Sequence, residues 1–143
     1  MISETDKACA AGWLDGEGCV YIGSQLKTNS NQPYYRLTVS VVNTDKRIMN
    51  WFQERWGGYI VRQQRGRKHI VYRWYREQIK AGYFLRDILP YLIIKREQAE
   101  LALAFLDHQE ETKYSRNDVA AEIRELYKQG LHTLKTAYLN PCA

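Results

Sequence analysis

The chain lacks any long apolar run. The longest, from Leu101 to Leu106, is far shorter than the ~20 residues a helix needs to cross a bilayer. No basic segment followed by an apolar one opens the sequence, so neither secretion nor a membrane partner is expected. Cysteine is scarce and scattered: Cys9, Cys19 and Cys142 form no CxxC pair. That disfavours a disulfide framework or a zinc cluster and points to a reducing, intracellular compartment. The histidines (His69, His108, His132) are too dispersed for a histidine-metal nuclease. Repeats, low-complexity tracts and linker-like stretches are also missing, and 143 residues with 45% hydrophobic content predict one domain with a proper core.

What is present is uneven charge. Residues 1–18 carry a net −3, residues 19–77 a net +8, and residues 78–143 balance, giving +5 overall. Six tyrosines and three tryptophans are interleaved with the basic middle section. A basic, aromatic face of this kind suits a phosphate backbone, the alternative being a soluble surface with an ordinary lysine and arginine excess.

Ser3 and Asp6 stand at capping-box spacing, and the helix they open should reach about Asp15, with Gly16 as a left-handed cap. Residues 19–27 and 34–43 then alternate with period two. Val20, Ile22 and Leu26, and Leu37, Val39 and Val41, form the apolar side of a hairpin closed by a polar loop at 29–33. Opposite them stand Tyr21, Gly23, Gln25 and Lys27, then Arg36, Thr38, Ser40 and Val42. A second helix follows the candidate caps Asn43, Thr44 and Asp45, carries Ile48, Phe52 and Trp56 at four-residue spacing, and stops at Gly57-Gly58. Strands at 59–64 and 68–75 bracket a turn at Arg65-Gly66-Arg67. Helices are expected at 78–89, ending before Pro90, and at 92–106, with Ile94, Leu101 and Phe105 on its apolar side. A last helix follows Ser115, with Val119, Ile123 and Leu126 on one face.

The fold class is therefore α+β: a four-stranded antiparallel sheet with helices on one face. Its other face carries Arg, Lys, Gln, Ser, Thr and Tyr, and no acid lies within the four strands as bounded here. Such a saddle suits a duplex, because strands fit a major groove and read base edges; the alternative is a polar face that meets water. Tyr21, Gln25, Lys27, Arg36, Thr38, Ser40, Arg73 and Tyr75 are the candidate readers. Arg62 and Gln63 have opposite parity, and either can belong to that face. Arg65, Arg67 and Lys68 at the hairpin tip suit phosphate.

Residues Ala10-Ala11-Gly12-Trp13-Leu14-Asp15-Gly16-Glu17-Gly18 are the sharpest local signal. Ala8, Ala11, Gly12 and Asp15 are spaced as one helical stripe, on which small side chains let a second helix approach closely. Asp15 and Glu17 crowd the negative end of the helix dipole, an arrangement that a divalent cation would favour. A glycine-rich turn holding two surface acids explains the same residues without a ligand.

This stretch resembles the LAGLIDADG motif of homing endonucleases in its Ala-Gly, its first aspartate and its final acid-Gly. The resemblance continues in Asn43-Thr44-Asp45-Lys46, in Gly57-Gly58, in Tyr72-Arg73-Trp74 and in residues 89–99, which reproduce the family's αββαββα order. The departures are Ala10 and Trp13 for leucine, Leu14 for isoleucine, Gly16 for alanine and Glu17 for the second aspartate. A core at about 4–107 with a helical extension at about 115–139 is implied.

The resemblance implies a site-specific endonuclease. Because the motif occurs once, it implies a homodimer packed through Ala8, Ala11, Gly12 and Asp15, cutting double-stranded DNA across the minor groove to leave 3′ overhangs. Glu17 would be the metal ligand, with Asp15 a weaker candidate. Lys95 would neutralise charge at the scissile phosphate, unless it is a solvated helix lysine. Asp45, or neighbouring Asn43, would position the water network, unless Asp45 is only a helix cap. The family's further basic position falls on Met49, leaving Arg47 or no residue to serve. Mg2+ is the implied cofactor, with Mn2+ substituting and Ca2+ supporting binding with little or no cutting. The family also implies an origin in an intron and the compartment of the encoding genome. An RNA-binding maturase acting on the host intron and a non-cutting regulator are the alternatives, and the acid at Glu17 argues against the latter.

Overall fold

A computed structural model describes residues 1–29, 31–114 and 118–137. The elements are α1 (Glu4–Glu17), β1 (Gly18–Leu26), β2 (Pro33–Asn43), α2 (Lys46–Trp56), β3 (Tyr59–Arg65), β4 (His69–Glu77), α3 (Gln78–Ile88), a 3-10 turn (Leu89–Tyr91), α4 (Arg96–Glu111) and α5 (Asp118–Thr136). The strands form one antiparallel sheet in the order β1-β2-β4-β3. Helices pack on one side of it, as the alternation predicts. Among the described residues no helix is long and apolar enough to cross a membrane.

Val20, Leu37, Val39, Val41 and Trp74 project from the sheet into a core that Leu14, Phe52, Phe84, Leu85 and Phe105 complete, all fully buried. Phe52 stacks on Trp74 with centroids 4.7 Å apart, and Phe84 meets Trp74 edge-on at 5.0 Å. Truncating such a ring removes about 3–5 kcal/mol. The Trp74 indole donates to the Gly57 carbonyl at 2.7 Å. Gly58 follows with φ +105, and a β-carbon there would lie 2.8 Å from that indole nitrogen, so only glycine lets α2 turn into β3 here.

Several expectations are corrected. Gly16 is helical rather than left-handed: α1 continues through Glu17 to Gly18, which caps it in an extended conformation (φ −97). The Ser3 cap holds, its hydroxyl accepting from the Asp6 amide. Leu26 shares the parity of Val20 yet is exposed, because no helix covers the loop end of the hairpin. The fourth helix begins at Arg96 rather than residue 92, and Ile94 is exposed. The reason is a tertiary clamp on 93–95, described below. In α5 the inward side is Ala120, Ile123, Tyr127 and Leu131, while Val119 and Leu126 face solvent. The expected Ser115 cap, Cys142 and the end of the helical extension lie outside the described residues.

α5 lies along α4 and β1. Side-chain bonds along its length fix it: Gln32 donates to Asp118 at 3.1 Å, Arg124 to the Thr112 hydroxyl at 2.9 Å, the Tyr35 hydroxyl to Glu125 at 2.6 Å, Lys128 to the Ser24 hydroxyl at 2.8 Å, and Lys135 reaches the Cys19 sulfur at 3.5 Å.

Candidate nucleic-acid interface and acidic centre

Glu17 is the last residue of α1, and its carboxylate is exposed. Oε2 accepts from Asn43 Nδ2 at 2.7 Å, whereas Oε1 takes no partner among the described residues. Asn43 ends β2 and turns its own Oδ1 to the Asp45 amide at 2.8 Å, so one side chain joins the acid to the start of α2.

Asp15 points elsewhere. Its Oδ2 accepts from the Ile93 amide and its Oδ1 from the Lys95 amide, both at 2.9 Å. Both oxygens are engaged by backbone amides, so Asp15 acts as a clamp on the segment before α4. The clamp holds Ile93 and Lys95 before α4 can begin. Lys95 therefore sits at the helix N-cap, not inside a helix, and its ammonium donates to the Asp15 carbonyl at 2.8 Å. Burial pushes that ammonium below the ordinary lysine range, and the nearby Lys135 ammonium adds to the effect, against Asp15 and Cys19.

Asp45 is the N-cap of α2. Its carboxylate accepts from the Arg47 amide at 2.9 Å and from the Arg47 guanidinium at 2.6 Å, which holds its carboxyl down at about 2. It does not touch Glu17; Asn43 does. Arg47 is thereby occupied, and Met49, at the family's basic position, is fully buried in the core. Neither supplies a cation beside Glu17.

The four residues of the expected interface stripe do not share one exposed side. Ala11 is fully buried in the monomer and Asp15 is turned to residues 93–95, while Ala8, Cys9, Gly12 and Gly16 are exposed along α1. A β-carbon at Gly12 or Gly16 would meet nothing within 4 Å. Glycine inside a helix costs about 1 kcal/mol against alanine, and nothing in the monomer repays it.

The saddle face is set by register. Tyr21 pairs with Thr38, Gly23 with Arg36, Gln25 with Tyr34, Ser40 with Tyr75, and Val61 with Arg73, so all share one side. Gln63 pairs with Val71 on that side, while Arg62 pairs with Tyr72 on the helix side, which removes Arg62 from the face. Thr38 and Ser40 lie on the right side but are only 9% and 6% exposed, hemmed between Tyr21 and Cys19 on β1 and Glu77 and Tyr75 on β4. They present little to a groove. Arg73 lies 5.2 Å from the Tyr75 ring, which in turn packs on Tyr59 at 5.4 Å. Arg65, Arg67 and Lys68 are exposed around Gly66, whose φ of +70 makes the tight turn. One acid interrupts the face: β4 runs on to Glu77, whose Oε2 lies 3.2 Å from Arg36 Nη1. Lys135 and Glu77 were not singled out in the sequence. No local pattern marks Lys135, since its neighbours Cys19 and Tyr21 are more than a hundred residues away in the chain.

An α1 ending in an exposed acid, two hairpins forming one basic saddle, and helices behind it make this the fold of the LAGLIDADG homing endonucleases. Neither a protein-family model nor a curated protein sequence matches the chain. Solved structures do. The homing endonuclease I-CvuI, solved on DNA with magnesium and the DNA uncleaved, superposes with a TM-score of 0.78 at 21% identity, over 92% of this chain and 82% of its own. The archaeal intron-encoded homing endonuclease I-Vdi141I, complexed with DNA, gives 0.78 at 12% identity, over 92% and 84%. The meganuclease I-SmaMI, bound to uncleavable DNA, gives 0.73 at 15% identity, over 87% of this chain but 44% of its own.

Proposed function

We propose that the chain is a site-specific double-stranded DNA endonuclease that works as a homodimer and needs a divalent cation. The observation that carries this reading is Glu17: an exposed carboxylate with one oxygen held by Asn43 and one free, at the end of a helix whose outer side is bare at Gly12 and Gly16. The solved neighbours bound to DNA support the substrate. That this chain spans 82–84% of two of them and 44% of I-SmaMI supports its acting as one of two equal halves.

A hard cation fits the donors. Glu17 offers a free carboxylate oxygen, the ligand type magnesium takes. No group of three His, Cys, Asp or Glu side chains is gathered for a metal among the described residues, and in this reading a second Glu17 and phosphate oxygens would supply the remaining ligands. Two such acids brought together repel, which favours a cation between them. The bound metal would activate water and steady the leaving oxygen. Asn43 fixes the Glu17 rotamer, and Lys95, held by Asp15, places its ammonium beside the end of α1 for the charge that builds on phosphate. Helix contact through Ala8, Gly12 and Gly16 sets the spacing of the two centres, and cutting across the minor groove leaves 3′ overhangs.

The test is a randomised duplex library digested with Mg2+ and sequenced at the cut ends. Enrichment of one pseudo-palindromic site with staggered cuts, also obtained with Mn2+ and not with Ca2+, is expected. Binding without cutting under both Mg2+ and Mn2+ would overturn the enzymatic reading and favour a binding module.

A further inference from the structure

At the end of the saddle away from Glu17, five side chains form one preorganised cluster. Arg36 Nη1 donates to both Glu77 oxygens, at 3.4 and 3.2 Å. The Tyr34 ring lies 5.4 Å from the Arg36 guanidinium and 4.8 Å from the Lys27 ammonium. Gln78 braces this arrangement: its Oε1 accepts from the Leu37 amide at 2.9 Å, and its Nε2 donates to the Tyr34 hydroxyl at 3.3 Å. Gln78 does so at φ +52, the one non-glycine residue with positive φ among the described residues. Strain of that kind persists where surroundings over-determine the backbone.

An exposed ion pair contributes little to stability, so the cluster's geometry has no clear use inside the protomer. It does match a base pair. In the major groove guanine offers two acceptors, N7 and O6, and its cytosine offers the N4 donor. The Arg36 N–H groups not engaged by Glu77 and Tyr34 remain to donate, and Glu77 keeps lone pairs to accept, side by side and already joined. Position follows from register: Gly18 pairs with Val41 and Gly23 with Arg36, five residues further along the strand. At ~3.3 Å per residue that is ~17 Å, or roughly five base pairs.

We propose that Arg36 and Glu77 together read one G·C pair in each half-site, guanine on the arginine and cytosine N4 on the glutamate, roughly five base pairs outward from Glu17. This rests on the proposed endonuclease function and adds to it a base identity, a position and an acidic reader.

The experiment is selection of bound duplexes from a randomised library in Ca2+, with the full-length chain as wild type, Arg36→Ala and Glu77→Gln. Wild-type sites should carry G·C in one column per half-site near that position. Glu77→Gln keeps the shape and should lower the G·C preference in that column roughly tenfold, leaving the other columns intact, which also shows that the variant is folded. Arg36→Ala should lose the same column. A wild-type site without G·C there, or Glu77→Gln with the column unchanged, overturns the proposal while the endonuclease reading stands. So does a Glu77→Gln chain that binds every duplex more tightly to the same degree, since Glu77 would then only neutralise Arg36. A wild-type chain that enriches no sequence overturns both.

Discussion

Lys95 is bound to Asp15 at two points, its amide on the carboxylate and its ammonium on the carbonyl, and the neighbouring Ile93 amide takes the second carboxylate oxygen. The motif helix and the start of α4 are thus one unit, although about eighty residues separate them. Asp15→Ala should free the segment at 93–95. Hydrogen bonds to a charged group are each worth about 1.5–3 kcal/mol, so a clear drop in Tm is expected, with cutting reduced more than DNA binding. Thermal melts beside single-turnover cleavage check both; cutting at the wild-type rate would remove Lys95 from the reaction.

Glu17→Gln keeps the bond from Asn43 but loses the charge that holds a hard cation. DNA binding in Ca2+ should be unchanged and cleavage in Mg2+ abolished. The measurement is paired gel-shift and nicking assays, and measurable cutting would reassign the metal ligand.

Gly12→Ala separates helix from dimer. A β-carbon there meets nothing in the protomer, so the substitution should raise helix stability by about 1 kcal/mol. The same methyl should hold two α1 helices apart. Sedimentation should show a weaker dimer while the monomer melts higher, and Gly12→Leu should give monomer alone.

Tyr35 ties β2 to α5 and sets an alkaline limit. Burial, together with the Glu125 carboxylate it bonds, pushes its hydroxyl up from 10.0 to about 12. Between those values the folded chain retains a proton that the unfolded chain has lost, so stability is full below pH 10 and falls as pH rises towards 12. Tm measured from pH 9 to 12 should fall less steeply for Tyr35→Phe than for wild type.

Lys68 and Arg73 should part in a binding titration over single-base variants at several salt concentrations. Lys68→Ala, at the hairpin tip, should weaken all duplexes alike and flatten the salt slope by about one ion per subunit. Arg73→Ala, on the saddle, should relax one position by about 1–3 kcal/mol. Equal weakening of every variant by Arg73→Ala would leave the sheet as a phosphate platform.

The first hairpin and α2 are legible because one face of each is buried, and burial imposes a period: Val39 and Val41, or Phe52, fall where the alternation and the four-residue spacing place them, whereas the second hairpin, with Trp74 alone fully buried, is marked by its turn at Arg65-Gly66-Arg67. The misses share a cause. Ile93 and Ile94 look like the first turn of an apolar helix face, but Asp15 takes the backbone amides that decide the matter. Ala11 and Gly12 are equally small, and only the packed core distinguishes the buried one from the bare one. Arg62 against Gln63 is settled by pairing with β4, a long-range fact that composition does not carry. Of the acidic centre, Glu17 was readable from its motif, while the choice of Asn43 over Asp45 rests on which side chain is already occupied by Arg47.

The free oxygen of Glu17 has a consequence for dose. On the proposed dimeric reading, a protomer that brings one available carboxylate supplies half of the catalyst. Below the dissociation constant of the pair, mass action makes the active species rise as the square of protein concentration, so tenfold less chain leaves about a hundredth of the breakage. Under the proposed pairing, scarcity of the chain would itself limit stray cutting, and its rate of synthesis would act as a threshold control.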